Sequence, residues 1–145
     1  MTGVQTCALP IYWYELDPEV VKVCQKHLPK ICGEVKANNN VKCYWGDAFE
    51  SIKKVKDSKY DKIFVDLNDD QYCIDLAAKN MKGLKRILKP NGVITAQVGC
   101  LSKKPRQVNG WLKVLDQNFG NSKLEEVVIP SFDCSWNFAS SIMNS

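Results

Sequence analysis

Carboxylates recur where apolar runs end. Glu15 and Asp17 follow IYWY, Asp47 follows VKCYWG, and Asp66 follows KIFV, with Asp69 and Asp70 close behind. An acid at the tip of a strand in an open α/β sheet can accept hydrogen bonds from ribose hydroxyls or an exocyclic amine. It can also take a proton from a nitrogen nucleophile. Each acid has a plainer use as well. Asp17 stands before Pro18 and Glu19 and is a good helix N-cap, and Asp47 can cap a helix that begins at Ala48. Asp69 or Asn68 can cap the helix after them, with Asp70 in its first turn. Asp66 alone stays on the strand side of its turn, where capping explains it least.

Six strands and the helices between them must hold these acids in place. Residues 11–17 are aromatic and apolar and read as a strand. A helix follows from Asp17, with Val20, Cys24, His27 or Leu28, and Ile31 at helical spacing, and Pro29 ends or kinks it. Residues 36–40, KANNN, form a polar turn. In residues 41–47, Val41, Cys43 and Trp45 alternate with Lys42 and Tyr44, which predicts a half-buried strand at a sheet edge. A short helix spans 48–55. The run Ile63, Phe64, Val65 predicts a strand over 60–67 that is buried on both faces. A long helix over about 70–88 carries Cys73, Ala77, Met81, Leu84 and Leu88 on one stripe, and Pro90 and Gly92 break it. Then come a strand over 93–99 and a helix over 105–119 with Val108, Trp111 or Leu112, Leu115 and Phe119 inward. Two last strands, 123–129 and 136–143, flank the loop PSFDCS.

The chain has 145 residues, enough for one domain or a part of one, and a real core. A net charge of +4 with lysines spread evenly argues against nucleic acid as a partner. No apolar stretch approaches the roughly 20 residues of a membrane span. Seven cysteines show no CxxC, and the single His27 cannot complete a usual zinc set, so no metal centre is expected. Cysteines scattered through apolar segments read as reduced core residues, which points to a cytoplasmic protein. Residues 2–11, TGVQTCALPI, look like the translation of a common sequencing adaptor, so 1–11 are read as an artefactual leader and set aside.

Alternating strands and helices followed by two adjacent strands predict a doubly wound parallel sheet with an antiparallel end. That is a Rossmann-like α/β fold of the S-adenosylmethionine-dependent transferase type. Such a fold opens on a central strand and a glycine-rich turn, and no GxG occurs here. The first strand is therefore expected upstream, and residues 12–145 are read as a partial catalytic domain. A chain lacking that strand is expected to be poorly stable, with unpaired backbone on its neighbours.

The segments YELDPEVVKVCQKHLP, YWGDAFESI, YDKIFVDLNDD, LKPNGVITAQVG and IPSFDCSWNF, in this order, resemble the polyamine aminopropyltransferases: spermidine, spermine and thermospermine synthases. The Asp-Leu after the strand and the PSF…W loop resemble the spermine and thermospermine synthases more. The resemblance implies transfer of an aminopropyl group from decarboxylated S-adenosylmethionine, as co-substrate, to a polyamine acceptor, without metal. It implies that Asp66 is the base, that Glu15 holds the ribose, and that Asp47 with Ala48 holds the adenine. Asp69 would hold an amine, and Phe132 and Trp136 would wall the acceptor's methylene chain. Full-length relatives of this kind are expected to be homodimers. Two departures stand out: the segment after Asp66 is shortened where spermidine synthases carry a Pro- and Gly-rich gate, and Cys134 stands where spermine synthases carry an acid. The alternatives are a small-molecule methyltransferase using ordinary S-adenosylmethionine, and a non-catalytic homologue that stabilises an active subunit.

Overall fold

A computed structural model describes residues 10–32, 40–68 and 70–144. Most of the leader, Cys7, most of the KANNN turn and Asp69 lie outside the described residues. The chain divides into two compact units, Met1–Ser51 and Ile52–Ser145, and each is taken by itself.

In the first unit, β1 (Ile11–Glu15) and β2 (Val41–Trp45) run parallel, with Ile11 opposite Val41 and Glu15 opposite Trp45. Parallel neighbours need a crossover, and α1 (Pro18–His27) and α2 (Pro29–Cys32) supply it. Aromatic residues load the ladder: Tyr44 stacks on Tyr14 at 5.0 Å and on Tyr12 at 6.3 Å, and Trp13 meets Trp45 edge-on at 6.2 Å. Such aromatic pairs are each worth roughly 0.5–1.5 kcal/mol beyond their buried area. Asp17 caps α1 by accepting from the Glu19 N–H at 2.9 Å. Pro29 closes α1 as expected, leaving Leu28 to donate back to the Cys24 carbonyl. The inward stripe on α1 differs from expectation. Val21 is the buried residue, whereas Val20, Leu28 and Ile31 are exposed. A two-stranded sheet offers the crossover helix little apolar surface to cover, so the stripe finds few partners.

In the second unit the strand order is β3-β4-β6-β5, built from β3 (Tyr60–Val65), β4 (Leu88–Gly99), β5 (Lys123–Val127) and β6 (Trp136–Ile142). β3 and β4 are parallel, joined through α4 (Gln71–Ile87), and β6 is antiparallel to both β4 and β5. The parallel core with an antiparallel end is the expected arrangement. One face of β4, Ile94, Ala96 and Val98, is fully buried. α4 and α5 (Pro105–Phe119) supply that core with Ile74, Ala77, Met81, Leu84 and Ile87, and with Val108, Trp111, Val114, Leu115 and Phe119. The α4 stripe is thus turned by one residue from the expected one at each end: Ile74 replaces Cys73, and Ile87 replaces Leu88.

Leu88 already belongs to β4, which begins five residues earlier than expected. Tyr60 pairs with Leu88 but Lys62 pairs with Val93, so residues 89–92 loop out between the two pairs. Asn91 adopts a left-handed backbone (φ 60°) in that bulge. Its N–H and the Gly92 carbonyl close onto Met143 at 2.9 and 2.8 Å.

The expectation that β3 is buried on both faces is corrected. Val65 is buried, but Phe64 is 75 % exposed. Among the described residues β3 pairs with β4 alone, so it is an edge strand of its unit. Phe64 lies on the face opposite the one that α4 and α5 cover. Thr95, Gln97, Trp136 and Phe138 share that second face and are half-buried.

Candidate functional site

The second face carries the cleft. Phe64, Val65 and Asp66 from the end of β3, Thr95 and Gln97 from β4, and Ile129, Phe132, Trp136 and Phe138 from β6 and the loop before it enclose about 370 Å³. The lining is apolar and aromatic, and Asp66 is its one acid. Phe132 and Trp136 meet edge to face with ring centroids 4.5 Å apart, a contact worth about 0.5–1.5 kcal/mol beyond buried area. A turn in which the Phe132 N–H donates to the Ile129 carbonyl at 2.9 Å presents them. The Asp66 side chain is exposed and makes no hydrogen bond or ion pair among the described residues. An unneutralised carboxylate beside aromatic walls suits a cation borne on a short methylene chain.

Gln97 crosses the floor of this cleft. Its Nε2 donates to the Leu67 carbonyl at 2.5 Å, and its Oε1 accepts from the Trp136 indole Nε1–H at 2.5 Å. Behind the aromatic pair, Cys100 and Cys134 form a disulfide with Cα atoms 6.4 Å apart. The antiparallel β4–β6 pairing brings the end of β4 beside the loop entering β6, within the usual bridging range of about 4.4–6.8 Å. The expectation of uniformly reduced core cysteines is therefore corrected for this pair. Cys24, Cys32, Cys43 and Cys73 take no part in a disulfide among the described residues, and all four are half-buried rather than core.

In the first unit, Glu15 and Asp47 stand at the same carboxyl end of the β1–β2 pair. The Gly46 N–H continues that ladder to the Glu15 carbonyl at 2.9 Å, and Gly46 has φ 115°, a conformation that favours glycine. Asp47 Oδ1 accepts from the N–H groups of Phe49 and Glu50 at 2.7 and 3.3 Å, so it caps α3 (Ala48–Ile52). Glu15 Oε1 accepts from the Asp17 N–H at 3.0 Å. Capping therefore occupies one oxygen of Asp47, and a turn contact occupies one of Glu15. Ala48 is half-buried directly after Asp47.

After β3, the cap of α4 is not Asn68, and Asp69 lies outside the described residues. Asp70 takes that part by accepting from the Cys73 N–H at 2.8 Å. The structure thus brings Asp66, Phe132 and Trp136 to one cleft and Glu15, Asp47 and Ala48 to one strand end. Sequence reading missed Phe64 and Gln97. Gln97 had a signal: it is the one amide in the apolar strand VITAQVG, on the face opposite Ile94 and Val98. Elsewhere, the Lys89 ammonium hydrogen-bonds Asp61 at 2.8 and 2.9 Å and holds its carboxyl below the usual carboxylate value.

A family model described as spermine/spermidine synthase domain matches residues 9–144. A polyamine aminopropyltransferase of Prochlorococcus marinus (strain MIT 9215) is 32 % identical over 136 residues, which are 88 % of this chain and 47 % of that protein. One from Korarchaeum cryptofilum is 20 % identical over 127 residues, 86 % of this chain and 39 % of that protein. Among solved structures, a spermidine synthase in complex with the transition state analogue AdoDATO superposes with a TM-score of 0.81 at 14 % identity, covering 90 % of this chain and 45 % of its own. Spermidine synthase from Thermotoga maritima gives 0.79 at 14 % identity, over 90 % of this chain and 44 % of its own. These likenesses show the fold as the Rossmann-like α/β fold expected. The chain spans less than half the length of the curated relatives it matches.

Proposed function

This chain belongs to the spermine/spermidine synthase family, and we propose that it carries the acceptor-activating part of a polyamine aminopropyltransferase. The observation that carries the reading is the single carboxylate of Asp66 at the mouth of an aromatic cleft. A protonated alkyl amine titrates near 10, so freeing its lone pair at pH 7 costs about 4 kcal/mol. Asp66 takes that proton as the nitrogen attacks the donor's aminopropyl carbon. The carbon–sulfur bond breaks, the sulfonium leaves as the neutral thioether methylthioadenosine, and the aminopropyl group stays on the amine.

Decarboxylated S-adenosylmethionine is the proposed donor. The free oxygens of Glu15 and Asp47 accept from its ribose and its adenine amine, with Ala48 alongside. Asp69, outside the described residues, holds an amine end. Phe132 and Trp136 lie along the methylenes of a polyamine acceptor. The working protein is proposed to be a cytoplasmic homodimer. Residues 12–145 are proposed to form part of its catalytic domain, and residues 1–11 to be an adaptor-derived leader foreign to it. Among the described residues, no helix is long and apolar enough to cross a membrane.

The test uses the protein extended at its amino end to the length of its relatives. Incubation with decarboxylated S-adenosylmethionine and putrescine, spermidine or agmatine should yield methylthioadenosine and the aminopropylated amine in equal amounts. Methyl transfer from ordinary S-adenosylmethionine, with no aminopropylated product from any amine, would overturn the proposal. The upstream reading frame, sequenced through residue 12, checks the leader.

A further inference from the structure

We propose that Gln97 is a positioning residue, which fixes the spacing between Asp66 and the aromatic wall and thereby sets which acceptor length fits. This deepens the aminopropyl-transfer reading and rests on it. The register places Gln97 one step beyond the last paired residues of β3 and β4, Val65 and Ala96, level with Asp66. On its other side it pairs with Phe138 of β6. Its side chain therefore stands between the acid on one strand and the aromatics on the other.

The orientation of its amide is determined by its partners. An indole N–H can only donate, and a backbone carbonyl can only accept. Oε1 must therefore face Trp136 and Nε2 must face Leu67, as found. The residues joined are far apart in sequence: Gln97 is 30 residues from Leu67 and 39 from Trp136. One end of the tie is the carbonyl of Leu67, the residue directly after Asp66. The other is the indole that packs on Phe132 at 4.5 Å. Leu67, Gln97, Trp136 and Phe132 thus form one continuous brace across the cleft. Rotation of the Trp136 ring, or drift of the tip that carries Asp66, must break one of these two hydrogen bonds. In a partly buried apolar setting an unpaired amide or indole N–H carries a desolvation cost, so the brace resists both movements. Attack on an alkyl carbon needs the nitrogen held within a few tenths of an ångström, and small errors of placement are expensive in rate.

Two variants separate the parts of the brace. Gln97→Met keeps the length and removes both hydrogen bonds. Gln97→Glu keeps an acceptor for the indole but, when ionised, has no donor for the Leu67 carbonyl. The first readout is the indole N–H resonance of Trp136 in ¹⁵N-labelled chain, assigned with Trp136→Phe, with the other three tryptophans as internal references. In Gln97→Met it should shift and exchange with solvent at least tenfold faster, and in Gln97→Glu it should stay protected. An unmoved Trp136 signal in Gln97→Met overturns the brace, whatever reaction the protein catalyses. The second readout is turnover by the amino-terminally extended protein with diamines of three, four and five methylenes. Gln97→Met should lower kcat tenfold or more, with KM for the best diamine changing less, and should bring the kcat/KM values of the three diamines together. A shifted indole signal with unchanged length preference would leave the tie structural and overturn the positioning role. If the unmutated protein turns over no diamine, the aminopropyl reading fails and the length role with it, while the indole signal still decides the brace.

Discussion

Asp66 and Asp70 stand four residues apart and carry the same side chain, yet their oxygens are used differently. Asp70 spends one oxygen on the Cys73 N–H at the start of α4, which fixes its rotamer and turns it to the helix. Asp66 follows the last β3 residue, lines the cleft and has no hydrogen-bond partner among the described residues. Two substitutions should therefore give opposite patterns. Asp66→Asn keeps the shape and removes the proton acceptor, so turnover of the extended protein should fall a hundredfold or more while its melting temperature holds. Asp70→Ala should cost about 1 kcal/mol of stability through the lost cap, with kcat within about twofold of the parent. Steady-state kinetics beside thermal denaturation of both variants checks the contrast, and near-normal turnover in Asp66→Asn would remove it from the base role. Such differences between acids were partly legible. The position of Asp66 on the strand side marks it out, and capping is one of two uses that the sequence leaves open for Asp17 and Asp47. The choice of Asp70 was not legible, because the cap depends on where the chain turns into α4, and Asn and Asp both cap well.

The elements show where local pattern suffices and where it fails. α5 was readable because Pro105 opens it, Gly120 closes it with φ 75°, and Trp111 and Leu115 lie on one stripe. The β4 bulge was not, since Leu88 fits a helical stripe as well as a strand and only pairing with Tyr60 decides. Nor was the Cys100–Cys134 bridge, which depends on how β4 and β6 align. That bridge holds the loop between β5 and β6, whose Phe132 and Trp136 wall the cleft. Reduction, or Cys134→Ser, should therefore speed proteolytic cleavage within residues 128–135 several-fold and leave the β4–β6 ladder intact, as peptide mapping with and without reductant would record. At the far end of α5, Asp116 accepts from the Ser122 hydroxyl at 2.6 Å and the Ser122 N–H at 2.9 Å. These bonds hold its carboxyl below the ordinary aspartate value of 3.8. A lowered folded value means the contribution is whole above 3.8 and is lost as pH falls through the folded value. The α5–β5 junction should thus loosen only in that acid window. Ser122→Ala should move the Asp116 titration, followed by carboxyl NMR, back up toward the ordinary value.

At the scale of the whole molecule, the apolar residues are shared unevenly between the two units. In the second unit Ile94, Ala96, Val98, Trp111 and Leu115 are all fully buried between sheet and helices. In the first, the helix that crosses between β1 and β2 leaves Val20 52 % and Val23 56 % exposed, and Ile31 beyond it 77 % exposed. Burying a side chain of that size is worth about 1.5–3 kcal/mol, so the first unit forgoes most of what such residues contribute. Conformational entropy per residue is the same charge on both, at about 1–2 kcal/mol for the backbone. The balance therefore favours order in Ile52–Ser145 well before it does in Met1–Ser51. Local opening should follow that order, with free energies ranging from near zero to the global value. Hydrogen exchange on the chain as it stands should find the amides of α1 exchanging at least a hundredfold faster than those of β4 and α5. Heating should then produce two transitions rather than one. The β1–β2 aromatic ladder is the contact set that could oppose this, since its rings pack at 5.0–6.3 Å. Stacking of this kind adds only a few kcal/mol in total at about 0.5–1.5 kcal/mol per pair, less than the exposed stripe leaves unused. Equal protection in the two units, with one cooperative melt, would show that the ladder outweighs the stripe and that the two units fold as one.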